Sequence, residues 1–112
     1  MSDCLFCKIV AGEIPADKVY EDEQTVVFKD INPKADVHLL MIPKKHIHSL
    51  NEVSKEDDAV MSHMLHLLPT LAKQQGLDDG FRTIINTGKG GGQIIFHLHI
   101  HLLGGNKLPG FG

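Results

Sequence analysis

The chain has 112 residues, with 11 lysines and arginines against 14 aspartates and glutamates and a formal net charge of −3. That length supports one hydrophobic core, read as a single domain over residues 1–112, and so mild a charge excludes the electrostatic footing that nucleic acid or an anionic membrane would need. No apolar run approaches the ~20 residues of a membrane span, and Met1-Ser2-Asp3-Cys4 begins without a basic and apolar leader, so a cytoplasmic protein is expected.

Residues 4–11 are apolar enough for a short helix, stopped by Gly12 and Pro15. The spacing Cys4-Leu5-Phe6-Cys7, in a reducing compartment, points to metal binding or burial ahead of a structural disulfide. A redox pair of the thioredoxin kind is least favoured, because no strand precedes the cysteines. Lys18–Glu21 and Thr25–Lys29 read as strands joined by the polar turn Asp22-Glu23-Gln24. Asn32-Pro33 marks a loop over 30–36. Residues 37–42 form the next strand, ended by Pro43, with His38, Leu40 and Ile42 on one side; it is apolar on both faces, as a central strand would be.

The best helix runs over about 54–75. Ser54 can cap it with Asp57 three residues on, and Gly76 is a fitting stop. Val60, Met61, Met64, Leu65, Leu68, Leu71 and Ala72 recur at helical spacing and should cover the sheet, leaving His63 and His66 as solvated surface histidines with Ser62 and Lys73. Pro69 removes one helical hydrogen bond and should kink the helix near Leu65 unless two shorter helices are present. Lys44 and Lys45 read as surface charge.

Asp79-Gly80 turns the chain into a strand over 81–86, and a glycine-rich loop over 87–93 leads into Phe96-His97-Leu98-His99-Ile100-His101-Leu102-Leu103-Gly104-Gly105. Strict alternation marks a half-buried strand, with Phe96, Leu98, Ile100 and Leu102 toward the core and His97, His99 and His101 on the open face. These elements predict an α+β fold: an antiparallel meander of about five strands, covered by the long helix and accompanied by the short N-terminal one.

Same-face residues on a strand lie ~6.5 Å apart, so ~13 Å separates His97 from His101, whereas zinc needs each nitrogen within ~2.1 Å. One metal cannot take all three. A line of imidazoles suits chemistry in which the central ring, His99, attacks while its neighbours orient it or move protons. The glycine loop is no Walker motif, since Gly88-Lys89 is followed by Gly90 and the loop enters a strand. By itself it reads equally as an anion cradle or a flexible hairpin loop, and the adjacent histidines favour the cradle.

The alternating run from His97 to Leu103 resembles the histidine-triad (HIT) family, and the flanking Gly91-Gly92-Gln93 and Gly104-Gly105 resemble its Hint branch. The likeness extends to Phe6, Glu13-Ile14-Pro15, Tyr20-Glu21-Asp22, Phe28, Asp30-Ile31, Pro33, His38 and Ile42-Pro43-Lys44-Lys45-His46, almost the whole chain. It implies a homodimer with one continuous sheet and hydrolysis of purine nucleoside 5′-phosphoramidates, conjugates of AMP or GMP, through a nucleotidyl-histidine on His99. It further implies that His101 and His38 hold the attacking ring in its tautomer and that His97 lies nearest the α-phosphate. Asp30 would hold the ribose, Phe6, Ile9, Phe28 and Ile31 the base, and Asn86, Gly92 and Gln93 the phosphate and leaving group. For the base-slot residues ordinary core packing is the alternative reading.

Some HIT members bind zinc through similar cysteines, which leaves a structural zinc on Cys4, Cys7, His46 and His97 open against two buried thiols. No cofactor is implied for catalysis. Two departures stand out: Ile94 occupies a position that is polar in many Hint proteins, and the tail over 106–112, which in such dimers shapes specificity, is short and plain. Hydrolysis of dinucleoside polyphosphates, or a nucleotide- or zinc-binding regulatory role with incidental turnover, are the alternative functions.

Overall fold

In the computed structural model of the protein, which describes residues 3–105 and 108–110, five antiparallel strands form one open sheet. They are β1 (Lys18–Glu21), β2 (Thr25–Lys29), β3 (Val37–Pro43), β4 (Arg82–Ile84) and β5 (Ile100–Gly104), in the spatial order β1-β2-β3-β5-β4. The first three follow one another as a meander. The departure comes at the end, where β5 enters beside β3 and leaves β4 at the edge.

Period-two alternation explains the layering. Val27, Leu39, Met41, Ile100 and Leu102 point to one face and meet Val60, Met64, Leu68, Leu71 and Ala72 of the long helix α2 (Asp58–Gln74). Val26, Phe28, Leu40 and Ile42 point to the other and meet Phe6 and Ile9 of the short helix α1 (Leu5–Val10). The central strand β3 is thus buried from both sides, each large side chain contributing about 1.5–3 kcal/mol.

Several expectations for the helix are corrected. Lys55–Asp57 forms a 3-10 turn ahead of α2, with the Asp57 carboxylate accepting from the Ser54 N–H at 3.0 Å. Leu65 is 54% exposed instead of covering the sheet. It shares the wet side with Pro69, so the Leu65 carbonyl deprived of a partner by the proline faces water, and α2 runs unbroken from 58 to 74. His63 is not a free surface group. Its Nε2 donates to Asp22 Oδ2 at 2.6 Å, tying α2 to the β1–β2 turn, where Asp22 also accepts from the Tyr20 hydroxyl, the Gln24 and Thr25 N–H groups and the Thr25 hydroxyl. Burial disfavours charge on that carboxylate, but these donors outweigh it and hold Asp22 far below the usual carboxylate range.

The two lysines are likewise engaged. Lys44 pairs with Glu21 at 2.9 Å, and Lys45 reaches the buried Asp57 at 2.6 Å. The Gly104-Gly105 pair serves packing. A Cβ on Gly104 would fall 2.4 Å from Leu77 Cδ1, and Gly105, at φ +100°, would bring one 2.5 Å from Asp36 Cβ. Among the described residues no helix is long and apolar enough to cross a membrane. Of the tail, Asn106, Lys107, Phe111 and Gly112 lie outside the described residues.

Candidate functional site

The histidine run is a strand only from Ile100 onward, and the reason lies in its partner. β5 pairs with β3 as far as Met41 opposite Ile100; two residues further β3 reaches Pro43, which has no N–H to extend the ladder. Residues 96–99 therefore leave the pleat, with Leu98 N–H bonded to the Ile47 carbonyl at 2.7 Å. Alternation fails with them. Phe96, expected in the core, is half-buried and stacks on His48 at 4.9 Å, while His97 is fully buried and turned away from His99 and His101.

His99 and His101 instead share a cleft of about 680 Å³ with His38 from β3. Hydrogen-bond partners fix the tautomers of all three rings. The Lys34 N–H donates to His38 Nδ1 at 3.0 Å, so the His38 proton sits on Nε2, which faces His101 Nδ1 at 2.9 Å and Asp30 Oδ2 at 3.4 Å. His101 Nδ1 is then an acceptor, and its proton sits on Nε2. His99 is set separately: its Nδ1–H donates to the His97 carbonyl at 2.8 Å, leaving the lone pair on Nε2. The histidine chain thus orients His101, whereas the expectation had it holding the attacking ring itself. Burial, reinforced by the neighbouring His99 and His38 rings, pushes His101 down to about 4, and burial lowers His38 against the pull of Asp30. Both rings are neutral at neutral pH.

The cleft wall carries Phe6, Ile9 and Phe28, each at most 5% exposed, so packing and lining are one role here. Ile31 stands at the rim, 90% exposed, with Ile94 at 86%. Asp30 lines the cleft and accepts from the Asn32 N–H at 2.8 Å. Asn86 and Gly92 also line it. Gln93 does not. Its side chain is 5% exposed and locks the glycine loop, accepting from Gly88 N–H at 2.9 Å and donating to the His48 and Ile95 carbonyls at 3.0 Å each. Gly88 and Gly92 carry positive φ at the ends of the turn Lys89–Gly91, which is where the loop requires glycine.

His97 belongs to a second cluster. Its Nε2–H donates to the Pro43 carbonyl at 2.8 Å, which directs Nδ1 toward Cys4 Sγ at 3.4 Å, Cys7 Sγ at 3.5 Å and His46 Nδ1 at 3.3 Å. Cys7 Sγ lies 3.2 Å from His46 Nδ1, and all four donor atoms fall within 4.8 Å of one another. Ordinary zinc bond lengths in a tetrahedron put nitrogens about 3.3 Å apart and nitrogen and sulfur about 3.5 Å apart. The donor set and its spacing therefore fit a zinc-class ion, and the Pro43 bond is the outer-shell anchor such a ligand uses. Burial also pushes the His97 ring down to about 4, the Pro43 carbonyl opposing it.

Sequence reasoning missed Arg82, though it had marked the tail over 106–112 as a specificity element. Arg82 lines the cleft and donates to the Pro109 carbonyl at 2.7 Å, bringing Leu108 and Pro109 to its edge. Leu103 was legible, two residues after His101 on the same face, and it lines the cleft as well.

Comparison with known proteins agrees with this geometry. A family profile described as "Scavenger mRNA decapping enzyme C-term binding" matches residues 3–110. Protein HitA of Neisseria gonorrhoeae is 57% identical over 104 residues, 93% of this chain and 97% of its own length. A HIT family hydrolase from Legionella pneumophila superposes with a TM-score of 0.92 at 46% identity, covering 96% of each chain. A histidine triad protein from Clostridium difficile gives 0.93 at 46% identity, covering 100% of this chain and 98% of that one. A Zn-bound histidine triad family protein from Mycobacterium smegmatis gives 0.82 at 38%, covering 96% and 80%. Near-complete overlap in sequence and backbone, on a chain whose His99 and His101 line a cleft with His38, means that the chain belongs to the histidine-triad family.

Proposed function

We propose that the protein hydrolyses purine nucleoside 5′-phosphoramidates through a covalent nucleotidyl-His99 intermediate. The supporting observation is the 2.8 Å bond from His99 Nδ1–H to the His97 carbonyl, which leaves Nε2 as an unprotonated nucleophile in a cleft with an apolar wall. The base packs against Phe6, Ile9, Phe28 and Ile31, and the Asp30 carboxylate accepts from the ribose hydroxyls. His99 Nε2 attacks the α-phosphorus, a phosphorus–nitrogen bond to the ring forms, and the bond to the leaving nitrogen breaks with its electron pair going to the amine. That nitrogen leaves only when protonated, and it takes the proton from water in the open cleft; the neutral His101, with its N–H on Nε2, is placed to donate a hydrogen bond to a phosphoryl oxygen. Water then attacks phosphorus, the bond to His99 breaks with its electron pair returning to Nε2, and the proton released by water balances the one that the leaving nitrogen took from solvent. Neither step calls on a cofactor.

Cys4, Cys7, His46 and His97 hold a structural zinc in this reading. Its four donors leave no open position for substrate. A second copy of the chain joins along β4, an edge strand beside the cleft, to continue the sheet, and the reduced thiols suit a cytoplasmic setting.

The test is AMP release from adenosine 5′-phosphoramidate at saturating concentration, with and without a chelator. Turnover should survive chelation and fall by at least about 10³-fold in His99→Ala. Absence of turnover with AMP binding retained would sink the enzyme reading and leave a nucleotide-binding regulator.

A further inference from the structure

The donor cluster and the cleft are joined by two separate links. Phe6 lies between Cys4 and Cys7 in sequence and is 2% exposed. Its ring meets His97 edge-on at 5.9 Å, His99 at 5.2 Å and Phe28 at 5.5 Å, so one side chain touches a cluster ligand, the attacking ring and the base wall. The second link is backbone: His97 gives Nδ1 to the cluster and its carbonyl to His99 Nδ1–H.

The α1 helix that carries Phe6 has six residues, too few to hold its shape alone. Its Cys4 N-cap sulfur, accepting from the Cys7 N–H at 3.3 Å, and Cys7 itself both face His97. An ion on these donors would clip the segment at residues 4 and 7 to residues 46 and 97, far along the chain, and so order Phe6.

We propose that the cluster is a control site for the cleft: a zinc-class divalent ion on Cys4, Cys7, His46 and His97 strengthens nucleoside monophosphate binding, and the nucleotide strengthens ion binding equally. This rests on the reading of the cleft as a nucleotide site. Both ligands order the same Phe6 and His97, so whichever binds first removes part of the ordering cost of the second. Linkage makes the two factors identical.

Titration calorimetry of AMP into the Zn(II)-loaded and the stripped protein measures one factor, and competition of the protein with a chromophoric chelator for Zn(II), with and without saturating AMP, measures the other. Each should be about tenfold, within the usual range of such coupling. In Phe6→Leu both ligands should still bind while both factors fall below about twofold. Equal affinities in the presence and absence of the other ligand would overturn control and leave the nucleotide reading standing. Failure of AMP to bind in either state would remove that reading as well. Failure to take up one Zn(II), or loss of the native circular dichroism on stripping, would also overturn control, the latter in favour of a purely structural ion.

Discussion

Two clusters of imidazoles lie on either side of Phe6, and they are built for opposite purposes. In one, His97 and His46 converge with two thiols until four donors occupy every corner of a small tetrahedron. In the other, His38, His99 and His101 line an open cleft, and hydrogen bonds fix their protons: backbone groups set His38 and His99, and His38 sets His101. On the proposed reading, the same side chain holds or reacts according to whether its second nitrogen meets a soft donor or a void. A backbone carbonyl sets the choice in both clusters, that of Pro43 for His97 and that of His97 for His99.

The largest effect should separate the clusters outright. His99→Ala, expected to remove turnover on the proposed mechanism, should leave zinc content and melting temperature unchanged within about 2 °C. Equal loss of zinc would show that the two clusters are not distinct. Stripping the metal should do the reverse, lowering stability by about 3 kcal/mol, or roughly 10 °C in Tm, with saturated turnover preserved where the fold persists. His38→Ala should cut kcat about 10- to 100-fold, since His101 loses the partner that sets its proton, again at constant zinc content; an unchanged kcat would mean that the ring needs no orienting.

Acid should act next. His101 sits at about 4 in the folded protein against about 6.5 unfolded. The unfolded chain therefore binds the extra proton, and stability is full above about pH 6.5 and lost as pH falls toward 4. Roughly 2 kcal/mol is expected, discounted for the ring's access to water, and His101→Gln should flatten that part of the urea-melt profile. The smallest effect should come from a tie remote from both clusters: His63→Ala should cost about 1 kcal/mol by loss of the Asp22 bond, without altering zinc content or kcat.

How much of this was legible in the sequence follows from the range of the forces involved. Both helices, both early strands and the two-faced burial of β3 depend on local pattern and appear near where periodicity puts them, the long helix starting four residues later and turning Leu65 to water. The position of His97 does not, because it is decided by Pro43, a residue 54 positions away whose missing N–H ends the ladder. Periodicity read through residues 96–99 as though their partner strand were unlimited. The same limit explains His63, Lys45 and Gln93, each read as solvent- or ligand-facing and each found serving a neighbour distant in sequence or hidden in a loop. The cluster of Cys4, Cys7, His46 and His97 was recoverable only through family likeness, since Cys4 and Cys7 by themselves do not identify His46 or His97 as their companions.

The glycine pair after the histidine run carries a consequence for divergence. Leu77 follows the end of α2 and fills the space that a side chain at 104 would need. A lineage can enlarge residue 104 only after residue 77 has become smaller; the opposite order passes through an intermediate with the leucine forced out of the core. Position 105 has no such route, because its φ of +100° disfavours side chains whatever stands at 36. In a mutational library the first glycine should therefore behave as a conditional site and the second as a fixed one.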